Sequence, residues 1–180
     1  MLETTTGYLN KLFRFTGDAN GDPLVNDSGE VTQGSKGPVL FVHSATKDCM
    51  SWLNDSVAVA DSIPKLLFDD GYDVHLACNR GTAYSRAHET FDLATEAGLA
   101  DYFNYNTQSV GTEDIEAWVD LILNNTSCSK VQIVTHGLGA GVVMSGLTGM
   151  ANTLAAKVTT VTNLAPCLVP TYVVSGDSED

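Results

Sequence analysis

Hydrophobic and polar positions along the chain follow two periods, one typical of strands and one typical of helices. Leu9 to Phe15 alternates with a period of two, as a half-buried strand does. Pro38 to His43 is a short continuous apolar run, which is typical of a strand buried on both faces of a parallel sheet. Three further segments are predicted as strands: Asp73 to Cys78, Val131 to Thr135 and Lys157 to Leu164.

Between these runs, apolar residues recur at helical spacing. One helix is predicted over Val57 to Asp69, with Ile63, Leu66 and Leu67 on one face and Gly71 as its cap. Two more are predicted: Glu113 to Leu123, buried through Ile115, Trp118, Val119 and Ile122, and Gly139 to Met150. Because strands and helices alternate, we expect an α/β fold with a mostly parallel sheet and helices on both faces.

Composition restricts the classes of function. The 180 residues are 43% hydrophobic, so we expect a single domain over residues 1–180 with an acidic tail at residues 176–180. The net charge of −13 repels phosphate backbones, so nucleic acid is not an expected partner. No stretch approaches the roughly 18 consecutive apolar residues that span a bilayer, and we expect no transmembrane segment.

The cysteines and the glycosylation sequons indicate in which cellular compartment the protein folds. The cysteines are too far apart for the C-x-x-C pairs of zinc or redox sites, so they are either disulfide-bonded or buried thiols: Cys49, Cys78, Cys128 and Cys167. Four N-x-S/T sequons fall in stretches predicted as loops: Asn26, Asn54, Asn124 and Asn125. The N-terminus lacks the basic and apolar regions of a signal peptide, but the sequons favour a secreted glycoprotein.

The most informative motif joins the fourth predicted strand to the helix after it. A β-branched run, a tight glycine turn and a small-residue helix build a nucleophile elbow, which carries G-x-S-x-G at its corner. Here the corner reads Thr135-His136-Gly137-Leu138-Gly139. Gly137 stands at the serine position and has no attacking oxygen, although it relieves a backbone strain of about 1–3 kcal/mol. The alternative is an ordinary βα turn that never held a serine.

Short motifs along nearly the whole chain resemble one family. Gly71-Tyr72-Asp73-Val74 leads into Asn79-Arg80-Gly81, a combination more specific than the elbow. The other matching motifs are Gly7-Tyr8-Leu9, Tyr84-Ser85-Arg86 with His88, Asp114-Ile115 with Asp120-Leu121-Ile122-Leu123, and Leu164-Ala165-Pro166. From about Thr4 to about Thr171, these motifs resemble the acid lipases, the gastric and lysosomal branch of the α/β-hydrolases.

This resemblance implies a partial α/β-hydrolase fold, and the sequence departs from the family at the catalytic positions. Gly137 replaces the family's serine, and the His-Gly-Leu oxyanion loop reads His43-Ser44-Ala45. The family's catalytic Asp and His, its lid and its last strands lie beyond the point where this sequence stops. We therefore expect a truncated, lipase-like domain without an intact triad, and we favour an inactive protein over an enzyme.

The same resemblance places the cysteines. Cys49 and Cys78 would lie at one edge of two neighbouring parallel strands, where a disulfide is feasible. Cys128 and Cys167 would lie at opposite ends of the sheet, so we expect free thiols or bonds to other chains.

Three functions are compatible with these features. The first is a non-catalytic, secreted structural or assembly protein that binds other chains through an open sheet edge near Val158, Thr160 and Thr162, as a homo-oligomer or filament. The second is a lipase or esterase, active or inactivated by substitution, whose second half is a separate or missing segment. The third is a lipid-binding carrier.

Other candidate sites are weaker, and we expect neither a cofactor nor a metal. Ser44 and Ser145 lack an acid and a base to complete a nucleophilic site. The histidines share no metal-ligand spacing: His43, His75, His88 and His136. Val142 replaces the third glycine of a dinucleotide fingerprint. Pro23 interrupts the calcium-loop pattern of Asp18, Asn20 and Asp22.

Overall fold

A six-stranded sheet is the centre of the molecule. The computed structural model describes residues 1–17, 22, 34–54, 58–148 and 153–168. Its strands are β1 (Leu2–Glu3), β2 (Leu9–Arg14), β3 (Pro38–Val42), β4 (Asp73–Cys78), β5 (Val131–His136) and β6 (Val158–Leu164). Their order across the sheet is β1-β2-β4-β3-β5-β6.

Strand directions make the sheet mostly parallel. β3 lies between β4 and β5 and is parallel to both, and β6 is parallel to β5. β2 is antiparallel to β4, and β1 is antiparallel to β2. The predicted mostly parallel sheet is therefore confirmed, and the carboxyl ends of β3, β4 and β5 meet at one edge.

Seven α-helices lie among the described residues: α1 (Ser51–Asn54), α2 (Ile63–Asp69), α3 (Glu96–Tyr102), α4 (Thr107–Ser109), α5 (Glu116–Thr126), α6 (Leu138–Thr148) and α7 (Thr153–Lys157). A 3-10 turn covers Val59–Asp61, and a π-helix over Val110–Ile115 runs directly into α5. The face predicted for the helix at Glu113 to Leu123 is buried, with Trp118 and Ile122 fully shielded from solvent. The π-helix extends this buried face to Val110.

The core lies on both faces of the sheet. Because side chains alternate along a strand, β3 sends Leu40 and Val42 to one face and Val39 and Phe41 to the other. The first face packs around Trp118 of α5, and the second packs around Phe68 of α2. All five residues of β3 are buried, as its continuous apolar run predicts.

The helix predicted over Val57 to Asp69 is wrong in extent and in its buried face. Ser62 has an extended backbone and caps α2, since its hydroxyl accepts from Lys65 N at 3.3 Å. Pro64 and Phe68 are buried, whereas Ile63 and Leu66 are 44% and 55% exposed. Because Ser62 caps the helix, α2 begins at Ile63, and its buried face carries Pro64 and Phe68 in place of Ile63 and Leu66. Gly71, with φ of 95°, ends α2 as predicted.

A disulfide lies at the carboxyl edge of the sheet. Cys49 and Cys78 form a disulfide with their Cα atoms 4.7 Å apart, and both residues are fully buried. It joins the segment after β3 to the last residue of β4. Cys128 precedes β5 and Cys167 follows β6, so these free thiols lie at opposite ends of two parallel strands.

The sequons do not all lie in loops, which corrects the sequence prediction. Asn54 ends α1, and Asn124 and Asn125 lie in the last turn of α5; all three are exposed. Asn26, the turn residues Asp18 and Asn20, Pro23 and the acidic tail at residues 176–180 lie outside the described residues. Within the described ranges, no helix has the length and apolar character needed to cross a bilayer.

Candidate functional site

The turn between β5 and α6 has the geometry of a strand-to-helix elbow. Gly137 occupies its corner with φ of 54°, a left-handed conformation that favours glycine. Its N–H donates to Leu164 O at 3.1 Å, and its carbonyl accepts from Cys167 N at 2.9 Å. The end of β6 and the segment after it therefore fix the corner from one side.

Gly139 is required by the close approach of α6 to β3. A Cβ at this residue would lie 2.8 Å from Val42 O and 2.7 Å from His43 O, distances that side chains do not adopt. The second glycine of the G-x-S-x-G pattern thus has a packing role that does not depend on catalysis.

Ser44 fills the space in front of the corner. A Cβ built on Gly137 would overlap Ser44 Oγ and lie 2.9 Å from Ser44 Cβ. Leu138 N, the first amide of α6, donates to Ser44 Oγ at 3.3 Å. Ser44 and the elbow corner are therefore in direct contact, with a hydroxyl on residue 44 and none on residue 137.

His43 is a buried, neutral link between two loops. Asn79 N donates to its Nε2 at 3.0 Å, so Nδ1 carries the proton and donates to Ser44 O at 2.8 Å. Burial lowers the pKa of His43 below its ordinary value. This histidine positions Ser44 and is not directed at it as a base, because both ring nitrogens are engaged elsewhere.

A cavity of about 780 Å³ lies over the elbow. Its floor includes Ser44, Leu138 and Gly139, and its walls come from the segments after β3 and β4 and from α4. Concave sites of this size hold small molecules, and in open α/β sheets they lie at the carboxyl ends of the strands.

The motif residue Arg80 is part of a buried ion pair beside this cavity. Its Nε donates to Asp114 Oδ2 at 2.8 Å and its Nη2 donates to Asp114 Oδ1, while Nη2 also reaches Glu113 Oε2 at 2.7 Å. The guanidinium lies 3.7 Å from the centre of the Tyr8 ring. Burial alone would lower the pKa of Arg80, but the two carboxylates hold it above its ordinary value.

Ser85, another motif residue, ties the loop after β4 to β2. Its hydroxyl donates to Cys78 O at 2.7 Å and accepts from Lys11 N at 2.8 Å. Tyr102 OH donates to Ser85 O at 2.7 Å. Arg80 and Ser85 therefore have structural partners on either side of the loop after β4.

The remaining candidates are dispersed. Ser145 Oγ donates to Gly141 O at 2.8 Å within α6. His75 lies 3.1 Å from Asp73, His88 stacks on Phe91, and His136 faces Trp52. Among the described residues, no three His, Cys, Asp or Glu side chains are grouped to hold a metal ion.

Solved structures define the class of fold. A Burkholderia cenocepacia protein assigned as an aryl esterase aligns with a TM-score of 0.55 and 14% identity, over 92% of this chain and 46% of that one. A Thermogutta terrifontis esterase aligns with a TM-score of 0.51 and 13% identity, over 96% and 48%. The chain therefore has a partial α/β-hydrolase fold.

Within this class, the curated relatives are lipases. Triacylglycerol lipase 2 of Arabidopsis thaliana is 31% identical over 136 residues, 76% of this chain and 29% of that protein. Human lysosomal acid lipase/cholesteryl ester hydrolase is 26% identical over 140 residues, 77% and 31%. Human lipase member N is 28% identical over 138 residues, 74% and 33%. No family model matches the chain.

These relatives confirm the resemblance to the acid lipases. The chain is a lipase homologue over most of its length, and it spans about a third of the length of these relatives.

Proposed function

We propose that the protein binds carboxylic esters in the cavity over the elbow, as a lipase-type member of the α/β-hydrolases. The observation that carries this proposal is the elbow itself, where Ser44, Leu138 and Gly139 line a cavity of about 780 Å³. The relatives support the ligand class, because two of them are named for triacylglycerol and cholesteryl esters. This support favours an ester site over an assembly protein with no small-molecule ligand.

The elbow supplies no hydroxyl that could act as the nucleophile for ester hydrolysis. Gly137 has no side chain, and the nearby hydroxyl belongs to Ser44, which accepts from Leu138 N. Both ring nitrogens of His43 are engaged with backbone groups, so His43 does not activate Ser44. We therefore expect the 180-residue chain to bind esters without turning them over.

A structural or assembly role is the second candidate, and β6 is the observation that favours it. β6 is the last strand in the order of the described sheet, and Thr160 and Thr162 on it are exposed. An unpaired strand edge is a template for strand addition from another chain.

We also propose a secretory location. One of the two human relatives, the acid lipase/cholesteryl ester hydrolase, is named as lysosomal. A buried disulfide is typical of proteins folded in an oxidising compartment. The exposed sequon residues Asn54, Asn124 and Asn125 are accessible to a glycosyltransferase. Native material should lose mass on treatment with a glycosidase, and an unchanged mass would contradict this location.

Calorimetric titration of the chain with ethyl butyrate tests the ester proposal. Ala83 is exposed and lines the cavity, so Ala83→Trp should fill the cavity and abolish binding. Ala94→Trp is the matched control, because Ala94 is also exposed and is not part of the cavity lining. Binding that Ala83→Trp leaves unchanged would place the ester elsewhere and contradict the proposal.

A parallel assay with 4-nitrophenyl butyrate tests the expected lack of turnover. Saturable hydrolysis that a fluorophosphonate inhibits would contradict that expectation. Ser44→Ala would then show whether the reacting hydroxyl is that of Ser44.

A further inference from the structure

We propose that an N-linked glycan on Asn54 stands at the mouth of the cavity over the elbow and limits the size of the esters that enter it. This inference rests on the proposed ester-binding function and concerns the regulation of that same site. The observation behind it is that Asn54 is both a sequon asparagine and a residue of the cavity lining. It begins the sequon Asn54-Asp55-Ser56, so its side chain is an acceptor for a glycosyltransferase.

Exposure divides the cavity lining into an inner part and a rim. His43, Arg80 and Val110 line the cavity and are buried, with 3%, 4% and 5% of their surface exposed. Asn54 lines the same cavity but is exposed to solvent. Asn54 therefore belongs to the rim, and a sugar chain attached to it would begin beside the opening.

The attachment point is held in place by α1, which ends at Asn54. Leu53 N and Asn54 N both donate to Met50 O at 2.9 Å. The ring of Trp52 packs edge-on against the ring of Phe41 in β3, with the ring centres 4.9 Å apart. These contacts fix the position of Asn54 relative to the cavity.

A glycan at the rim excludes ligands by size. It is bulky and hydrophilic, so it occupies the solvent beside its asparagine without changing the floor of the cavity. A small ester needs only the space inside the cavity, whereas a larger ester extends through the opening and competes with the glycan for the same volume. We therefore expect the glycan to weaken the binding of large esters more than that of small ones.

The sequon residues Asn124 and Asn125 provide a matched control at the opposite edge of the sheet. They lie in the last turn of α5, ahead of β5, whereas the cavity lies at the carboxyl ends of the strands. The six residues of β5, at about 3.3 Å each, separate the two edges. Neither asparagine is part of the cavity lining, so a glycan on either one leaves the opening free.

Two esters separate small from large ligands in calorimetric titrations of the full chain secreted from eukaryotic cells. Ethyl butyrate is the small ester, and tributyrin, with three butyryl groups, is the large one. Ser56→Ala removes the sequon and keeps Asn54, and Asn54→Gln removes the sequon in a second way. Mass spectrometry of the peptide that contains Asn54 measures how much of the original chain carries the glycan.

We expect each variant to bind tributyrin at least about tenfold more tightly than the glycosylated chain does, and ethyl butyrate less than about threefold more tightly. The Asn124→Gln, Asn125→Gln double variant should keep the original affinity for both esters. Agreement between Ser56→Ala and Asn54→Gln assigns the effect to the glycan, because only Asn54→Gln changes the cavity lining.

Each outcome separates this inference from the proposed function. If Asn54 carries no glycan, or if removing its glycan leaves tributyrin binding unchanged, the inference is overturned and the ester-binding function stands. A gain in Asn54→Gln alone, or an equal gain in the Asn124→Gln, Asn125→Gln control, overturns the inference as well. If neither ester binds to any of these proteins, the proposed function itself fails.

Discussion

Ser44 and Gly137 share one space: a side chain on residue 137 would overlap the Ser44 hydroxyl that accepts from Leu138 N. Acid lipases carry the reverse arrangement in the resemblance described above, with glycine in the oxyanion loop and serine at the elbow. In this chain, a serine at residue 137 would clash with Ser44, and a glycine at residue 44 would leave the space beside Gly137 empty.

This relationship predicts non-additive stability. Gly137→Ser should destabilise the fold by about 1–3 kcal/mol through its positive φ, and by more through the overlap with Ser44. In a Ser44→Gly background the overlap disappears, so the cost of Gly137→Ser should fall toward the strain alone. Urea unfolding of both single variants and the double variant measures the coupling. An equal cost in both backgrounds would show that the two side chains do not meet.

The disulfide should contribute strongly to stability. Cys49 and Cys78 are separated by 29 residues, and closing such a loop in the unfolded chain is worth about 3–4 kcal/mol. The Cys49→Ala, Cys78→Ala double variant should lose about that much in urea unfolding. Cys128→Ala, Cys167→Ala is the matched control, because those thiols are free, and it should lose far less.

Peptide mapping without reductant provides the independent check on the pairing. It should recover Cys49 linked to Cys78. A link between Cys128 and Cys167 within a monomer would contradict the parallel pairing of β5 and β6, which puts those thiols at opposite ends of the sheet.

Because the pKa of His43 is lowered in the fold, we expect the free energy of unfolding to fall in acid. Its pKa is lowered in the fold, so above about pH 6.5 the imidazole is neutral both folded and unfolded. Below that pH the unfolded chain binds a proton that the folded chain rejects, and the free energy of unfolding falls by up to about 1.4 kcal/mol per pH unit. The fall continues until the pH passes the folded pKa.

His43→Gln keeps an acceptor for Asn79 N but does not titrate. Its free energy of unfolding should therefore change less than that of the original chain between about pH 7 and pH 5. The exposed His136→Gln variant is the control and should keep the original pH dependence. Equal pH profiles for all three proteins would rule out His43 as the source.

The Arg80 ion pair should be costly to break. Arg80 and Asp114 have side chains that are 1% and 0% exposed, so Arg80→Met leaves a buried carboxylate without its partner and should cost about 3–5 kcal/mol. Lys65→Met is the control, because Lys65 pairs with Asp69 on the surface of α2 and such pairs are worth about 0.3–0.5 kcal/mol. Thermal unfolding compares the two, and similar losses would contradict a structural role for Arg80.

Strand periodicity predicted β3 and β4 well because both strands are buried. β3 and β4 are buried along their whole length, so their apolar runs admit one interpretation. The helix at Val57 to Asp69 was harder, since Ser62 and Pro64 restart it at a point where the apolar spacing continues. Capping by a side chain outweighed the periodic pattern there.

Contacts between segments that are distant along the chain could not be predicted from the sequence. Ser44 and Gly137 both stand in motifs that the sequence locates, but their overlap depends on how the segment after β3 lies against the turn after β5. The same holds for Asn79 Oδ1, whose lack of a hydrogen-bond partner among the described residues depends on where its neighbours lie. Periodicity and motifs locate such residues on elements without giving their distances.

Chemical-shift mapping by NMR tests the central claim most directly, because a chain of 19.1 kDa gives resolved amide spectra. Titration with ethyl butyrate should shift the amide signals of Ser44, Leu138 and Gly139 in a saturable manner, with Ala83→Trp removing the effect. Shifts confined to β6, or no saturable shifts at all, would contradict an ester site over the elbow.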